Sequence, residues 1–169
     1  MKLGFTIILL LVVVLTSCAS PSPTPTAMPT PTPVPTRTVT VSSTNDETEI
    51  KSVVENFGKK LQMVSLQSPT ASQQMQEQYA EFVSPALLQA WMSNQSQAPG
   101  RVVSSPWPDR IEITSLTKTA SDKYAVTGSI IEITSVEVGT SNAADKVPVQ
   151  IGVQKINDHW LITEYTEKR

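Results

Sequence analysis

The sequence predicts an α+β domain in which two to three N-terminal helices pack on a curved four-stranded antiparallel sheet. Three observations carry this expectation. An apolar stripe at helical spacing runs from Ile50 to Val64, a Ser-Pro pair opens a later helix at Ser84-Pro85, and apolar and polar residues alternate from Ile111 onward. Helices first and strands afterwards is the order of a layered α+β fold, not of repeating βα units.

The first helix is the best specified. Thr44-Asn45-Asp46-Glu47 fits a capping box, with Thr44 accepting from the first turn and Glu47 reaching back. Ile50, Val53, Val54, Phe57, Leu61 and Val64 form one stripe, and Glu47/Lys51 and Glu55/Lys59 are i,i+4 pairs in the favourable order. Ser68-Pro69 is the expected end. Met75, Gln78, Tyr79, Phe82 and Val83 suggest a second, shorter helix. Ser84 as N-cap and Pro85 at the first helical position predict a third, turning Leu87, Leu88, Trp91 and Met92 to the core.

Residues 94–109 read as loop, punctuated by Pro99-Gly100 and Pro106-Trp107-Pro108. Strands follow. Ile111 and Ile113 alternate with polar residues until Leu116 breaks the phase, so a bulge is expected near Ser115. A long second strand is expected from Tyr124 through Val138, with a phase change near Gly128. Val147, Val149, Ile151 and Val153 alternate cleanly, and Asn157-Asp158 turns into Trp160 and Ile162. The four strands form a meander.

Composition divides the 169-residue chain into three parts. Residues 1–17 are apolar, 18–45 are rich in Pro, Thr and Ser, and 46–169 form the globular domain. That domain holds eleven basic and fifteen acidic residues, a net charge of −4. Such a balance argues against nucleic acid, which needs a basic face. A single Cys allows no disulfide within the chain.

Met1-Lys2 precedes a nearly unbroken apolar run from Leu3 to Leu15. The run is too short for the roughly 20 residues of a spanning helix and suits a secretory signal. It ends in Leu15-Thr16-Ser17-Cys18, which resembles the lipobox of bacterial lipoproteins. The resemblance implies cleavage before Cys18, diacylglycerol on its thiol, and a domain held at the extracytoplasmic face of the cell membrane. Each buried methylene contributes about 0.8 kcal/mol, so two or three acyl chains anchor far better than one. The Pro/Thr/Ser stretch is too polar to collapse, and proline keeps it extended. At about 3.1 Å per residue it makes a stalk of up to roughly 80 Å.

The element order of 46–169, together with the closing hairpin from Val153 to Ile162, resembles the nuclear-transport-factor-2-like (cystatin-like) superfamily. The resemblance implies a cone with an open mouth between sheet and helices. It serves isomerases and cyclases as well as non-catalytic binding modules.

No catalytic set is legible. The lone His159 sits beside the predicted turn, where a solvated side chain is expected. One His and one lipidated Cys do not make a zinc site. No cofactor motif appears. Glu112, Glu132 and Glu164 alternate with their neighbours and are expected on the solvent face of the sheet. The residues of most interest lie in Arg101–Arg110, where Trp107 sits between two prolines beside Arg101, Asp109 and Arg110. Trp107 either plugs the end of the core while Asp109 pairs with an arginine, or rims a ligand pocket with Tyr79 and Tyr124. The leading expectation is a non-enzymatic binding or interaction module that meets a small ligand or an envelope protein. The alternatives are an isomerase or cyclase using Asp109 or a strand Glu as base, and an accessory subunit of a secretion, conjugation or cell-wall complex.

Overall fold

A computed structural model describes residues 41–169, with side chains from Thr44 onward. The expected signal segment, Cys18 and the Pro/Thr/Ser stretch up to residue 40 lie outside the described residues. Helix α1 spans Val41–Lys60, α2 Ala71–Tyr79 and α3 Pro85–Ser93. Strands β1 (Trp107–Ala120), β2 (Lys123–Ile133), β3 (Asp145–Ile156) and β4 (His159–Glu167) form one antiparallel sheet in the order β1-β2-β3-β4. The predicted α+β class, with helices on one face of a four-stranded meander, is the architecture the chain adopts.

Helix α1 begins earlier than expected and takes in residues 41–45, assigned above to the stalk. Thr44 is therefore inside the helix instead of capping it, and its carbonyl accepts from Thr48 Oγ1 at 2.9 Å. Ile50, Val54, Phe57 and Leu61 are fully buried, so the predicted stripe is the packed face. The helix passes very close to β1 at Gly58. A Cβ there would lie 2.6 Å from the Ile111 nitrogen. Ala is the better helix former by about 1 kcal/mol, but overpacking against rigid backbone costs about 1–3 kcal/mol. Gly58→Ala should therefore lower stability in urea unfolding, against its helix propensity.

The helix stops at Lys60, well before Ser68-Pro69. One 3-10 turn, Leu61–Met63, leads to an extended Val64. The competing interaction is a short parallel bridge between Ser65 and Arg101. Arg101 N donates to Val64 O at 2.8 Å, and Leu66 N donates to Arg101 O at 2.9 Å. Helix α2 likewise ends at Tyr79, so Phe82 and Val83 are not helical. Val83 bridges Ile162 of β4, with Ile162 N donating to Phe82 O and Ser84 N to Ile162 O, both at 2.8 Å. Helix α3 starts as predicted, with the Ser84 side chain accepting from Leu87 N and Pro85 in the first turn.

Strand β1 opens at Trp107, inside the stretch expected to be loop. Its register against β2 shifts between Ile113 and Ser115, where the bulge was expected, and also at Asp109 and near Ala120. β2 keeps one phase throughout. Tyr124, Val126, Gly128, Ile130 and Glu132 all face the helices, so no phase change occurs at Gly128. The strand ends at Ile133 instead of Val138, because the Glu137 carboxylate accepts from Thr134 N (2.8 Å) and Thr134 Oγ1 (2.6 Å), closing a turn. Asn157 and Asp158 both have positive φ (49° and 65°), giving the tight hairpin whose twist matches paired strands. Asp46 fixes the opening of α1 to that hairpin, accepting from Trp160 Nε1 at 3.4 Å and lying 3.6 Å from Lys155 Nζ.

Candidate functional site

The interior between helices and sheet is filled by aromatic rings. Phe57 of α1 packs edge-to-face on Tyr79 of α2 (centroids 5.0 Å apart) and nearly parallel to Trp91 of α3 (6.2 Å). Tyr165 of β4 meets Trp91 at 5.7 Å and Phe57 at 6.1 Å. Phe82 closes the cluster at 6.5 Å from Phe57. Burial at this density holds the Tyr79 and Tyr165 hydroxyls far above the ordinary phenol range, and the nearby Glu167 charge adds to the effect.

At the mouth, where β2 and β4 end, a recess of about 350 Å³ is lined by Gln97, Ala98, Tyr165, Glu167 and Arg169. Glu132 lies behind it at 5% exposure, and the expectation that it faces solvent is corrected. Two steps beyond Ile130, on the inward face, it carries a charge into the interior. Arg169 Nη1 stands 3.0 Å from Glu132 Oε1, Arg169 Nε donates to Glu167 Oε1, and Tyr165 O–H donates to Glu167 Oε2 at 2.9 Å. Glu132, Arg169, Glu167 and Tyr165 form one chain of charge-assisted bonds across the opening. The signal for Glu132 was its even spacing from Tyr124, Val126 and Ile130, hidden by the phase change expected at Gly128.

Removing Arg169 leaves the Glu132 carboxylate buried without its ion-pair partner. Breaking a fully buried pair costs about 3–5 kcal/mol, but Arg169 is 41% exposed and water reaches the vacated site. Arg169→Ala should therefore cost about 1–2 kcal/mol, and adding Glu132→Gln should recover part of it, as a double-mutant cycle in urea reads directly.

The residues singled out in the sequence do not share one site. Tyr79 is fully buried, with its hydroxyl donating to Pro99 O at 2.9 Å. Trp107 is half-buried at the head of β1, opposite Ile133. Asp109 and Arg110 pair at 2.8 Å, and Arg110 also holds Glu112 at 2.6 Å on the face away from the helices. These bonds hold the Glu112 carboxyl below its ordinary range. The half-buried Arg101 lies at the Ser65 bridge, its Nε enclosed without a hydrogen-bond partner among the described residues. Tyr124 is at the opposite end of β2 from Ile133, roughly 30 Å away by strand rise. It packs edge-to-face on Trp160 at 5.4 Å. Glu112 and Glu164 are exposed as expected, and so is His159.

An open recess of about 650 Å³ lies on the flank, between α1, the head of α3 and the β3–β4 hairpin. Its floor is Val53, Phe82, Ile156, Leu161 and an edge of Trp160, and its rim includes Glu49, Ser52, Glu81, Asp158 and His159. Sequence reading missed this groove because its parts come from three separated stretches, each unremarkable alone. Among the described residues no group of three or more His, Cys, Asp or Glu is placed to hold a metal ion.

No family model matches the chain, and no curated protein matches it in sequence. Solved structures match in shape. An NTF-2 like protein of unknown function from Shewanella oneidensis MR-1 is 11% identical, with a TM-score of 0.41 over 73% of this chain and 99% of that one. The intermembrane-space region of the chloroplast protein ARC6 is 16% identical, with a TM-score of 0.39 over 73% of this chain and 94% of that one.

Proposed function

We propose that the protein is a membrane-anchored extracytoplasmic lipoprotein whose folded domain is a non-enzymatic binding module acting through the flank groove. The observation that supports it best is the division of space. Five aromatic rings occupy the interior where a substrate would sit, while a recess of about 650 Å³ lies open on the flank. Such a recess, apolar below and polar at the edge, is the usual form of a recognition site. The anchor reading rests on the lipobox resemblance at Cys18, followed by a stretch rich in Pro, Thr and Ser.

One observation favours the isomerase or cyclase reading: the Tyr165 hydroxyl bonds to Glu167 close to the buried Glu132. Both carboxylates are already tied to Arg169, which leaves the binding reading ahead.

Two measurements test the proposal. Cys18→Ala should move the full-length protein out of the membrane fraction or leave its signal segment uncleaved. Unchanged retention with normal cleavage rejects the anchor. A photo-cross-linking residue at Ser52, in the groove, should give discrete adducts in intact cells where one at Thr127, on the opposite face of the sheet, gives none. Equal adducts at both positions, or none at either, reject the groove.

A further inference from the structure

We infer that the occupant of the flank groove is a basic amphipathic segment of a partner protein, its apolar side chains on the floor and its Lys or Arg side chains at the rim. This rests on the reading of the domain as a binding module and names the partner's chemistry. Glu49 comes from α1, Glu81 from the turn after α2, and Asp158 from the β3–β4 turn, so three separate elements bring an exposed carboxylate to one opening. None of the three forms an ion pair among the described residues. Some carboxylates elsewhere are ion-paired, Asp46 with Lys155, Glu112 with Arg110 and Lys146, and Glu132 with Arg169. Others, such as Glu47 and Glu164, have no ion pair among the described residues; the three at the groove differ in sharing one opening. Among the described residues no Lys or Arg lines the groove. The rim therefore presents three carboxylates around an apolar floor, with the nearby Lys155, over the Trp160 ring, paired to Asp46.

That combination selects its ligand by class. Apolar contact with Val53, Phe82 and Leu161 supplies affinity, and the charged rim steers and orients the incoming chain. An amphipathic segment laying an apolar face into a groove is a standard mode of peptide recognition. An acidic segment would meet like charge on all sides, and a neutral one would forgo the rim.

The test uses the full-length chain and two labelled helical peptides, one of Leu and Lys in amphipathic order, the other with every Lys replaced by Glu. The Lys peptide should bind at least about tenfold tighter than the Glu peptide, with the margin shrinking as salt rises. Combining Glu49→Gln, Glu81→Gln and Asp158→Asn should erase the margin; Asn tolerates the positive φ at position 158. Ser52→Trp, at an exposed position, should block binding by filling the groove. Glu164→Gln, on the other face, should change nothing. Equal binding of both peptides, blocked by Ser52→Trp, would overturn the basic class and leave the binding module standing. Binding indifferent to Ser52→Trp, or no binding of either peptide, would overturn the inference. Coupled with an absence of Ser52 adducts in cells, it would also overturn the binding-module reading.

Discussion

Phe57→Ala should lower the stability of the domain by about 3–5 kcal/mol, the usual cost of deleting a fully buried aromatic ring. Phe57 is completely enclosed and touches Tyr79, Phe82, Trp91 and Tyr165, one ring from every layer of the interior. Collapse around the vacancy is limited, because those four rings are held by different elements. Against a typical total of about 5–15 kcal/mol, the loss should shift the urea midpoint by a large fraction of its value. The variant also tests the filled interior on which the functional reading depends. Benzene should raise the melting temperature of Phe57→Ala and leave that of the parent chain unchanged, since an apolar void of this kind stays dry and takes up small apolar ligands. A benzene-dependent shift in the parent chain would show that the interior is open, and would put the enzymatic reading ahead of the binding one.

The same packing explains which parts of the molecule were legible in the sequence. Where one local pattern decided the matter, reading succeeded. The Ile50-Val54-Phe57-Leu61 stripe, the Ser84-Pro85 helix start, the bulge by Ser115 and the Asn157-Asp158 turn each depend on residues close in sequence. Reading failed where a distant partner competed with local propensity. Arg101 pulls Val64 and Ser65 out of the first helix, and Ile162 pulls Val83 out of the second. Glu132 is the instructive case for the site. Its even spacing from Ile130 points inward, but the phase change expected at Gly128 put it on the solvent face, and its partner Arg169 is 37 positions away. Nothing local announced that pair. The flank groove was illegible for the same reason, since Glu49, Glu81 and Asp158 acquire joint meaning only once three elements meet.

A steep loss of stability is expected above about pH 10, the ordinary phenol range, and its cause is the tyrosine pair of the interior. Burial, with Glu167 nearby, raises the folded-state values of both Tyr79 and Tyr165. In the unfolded chain both hydroxyls lose their protons near pH 10, while the folded chain still holds them. The unfolded state then binds fewer protons than the folded state, so stability falls as pH rises. The contribution is fully present below about pH 10 and is lost progressively above it. Two protons give a slope of about 2.7 kcal/mol per pH unit, which soon rivals the cost of any single substitution. Tyr165→Phe should cost about 1 kcal/mol at neutral pH, from the lost bond to Glu167, and should halve the alkaline slope. Tyr79→Phe should halve it too, but at a higher neutral cost of about 1–3 kcal/mol, because the enclosed Pro99 carbonyl loses its donor. The difference in slope between parent and variant isolates each phenol. Parallel curves for the parent chain and Tyr165→Phe would mean that the hydroxyl is wetted from the mouth recess, with the Arg169 bridge too loose to exclude water.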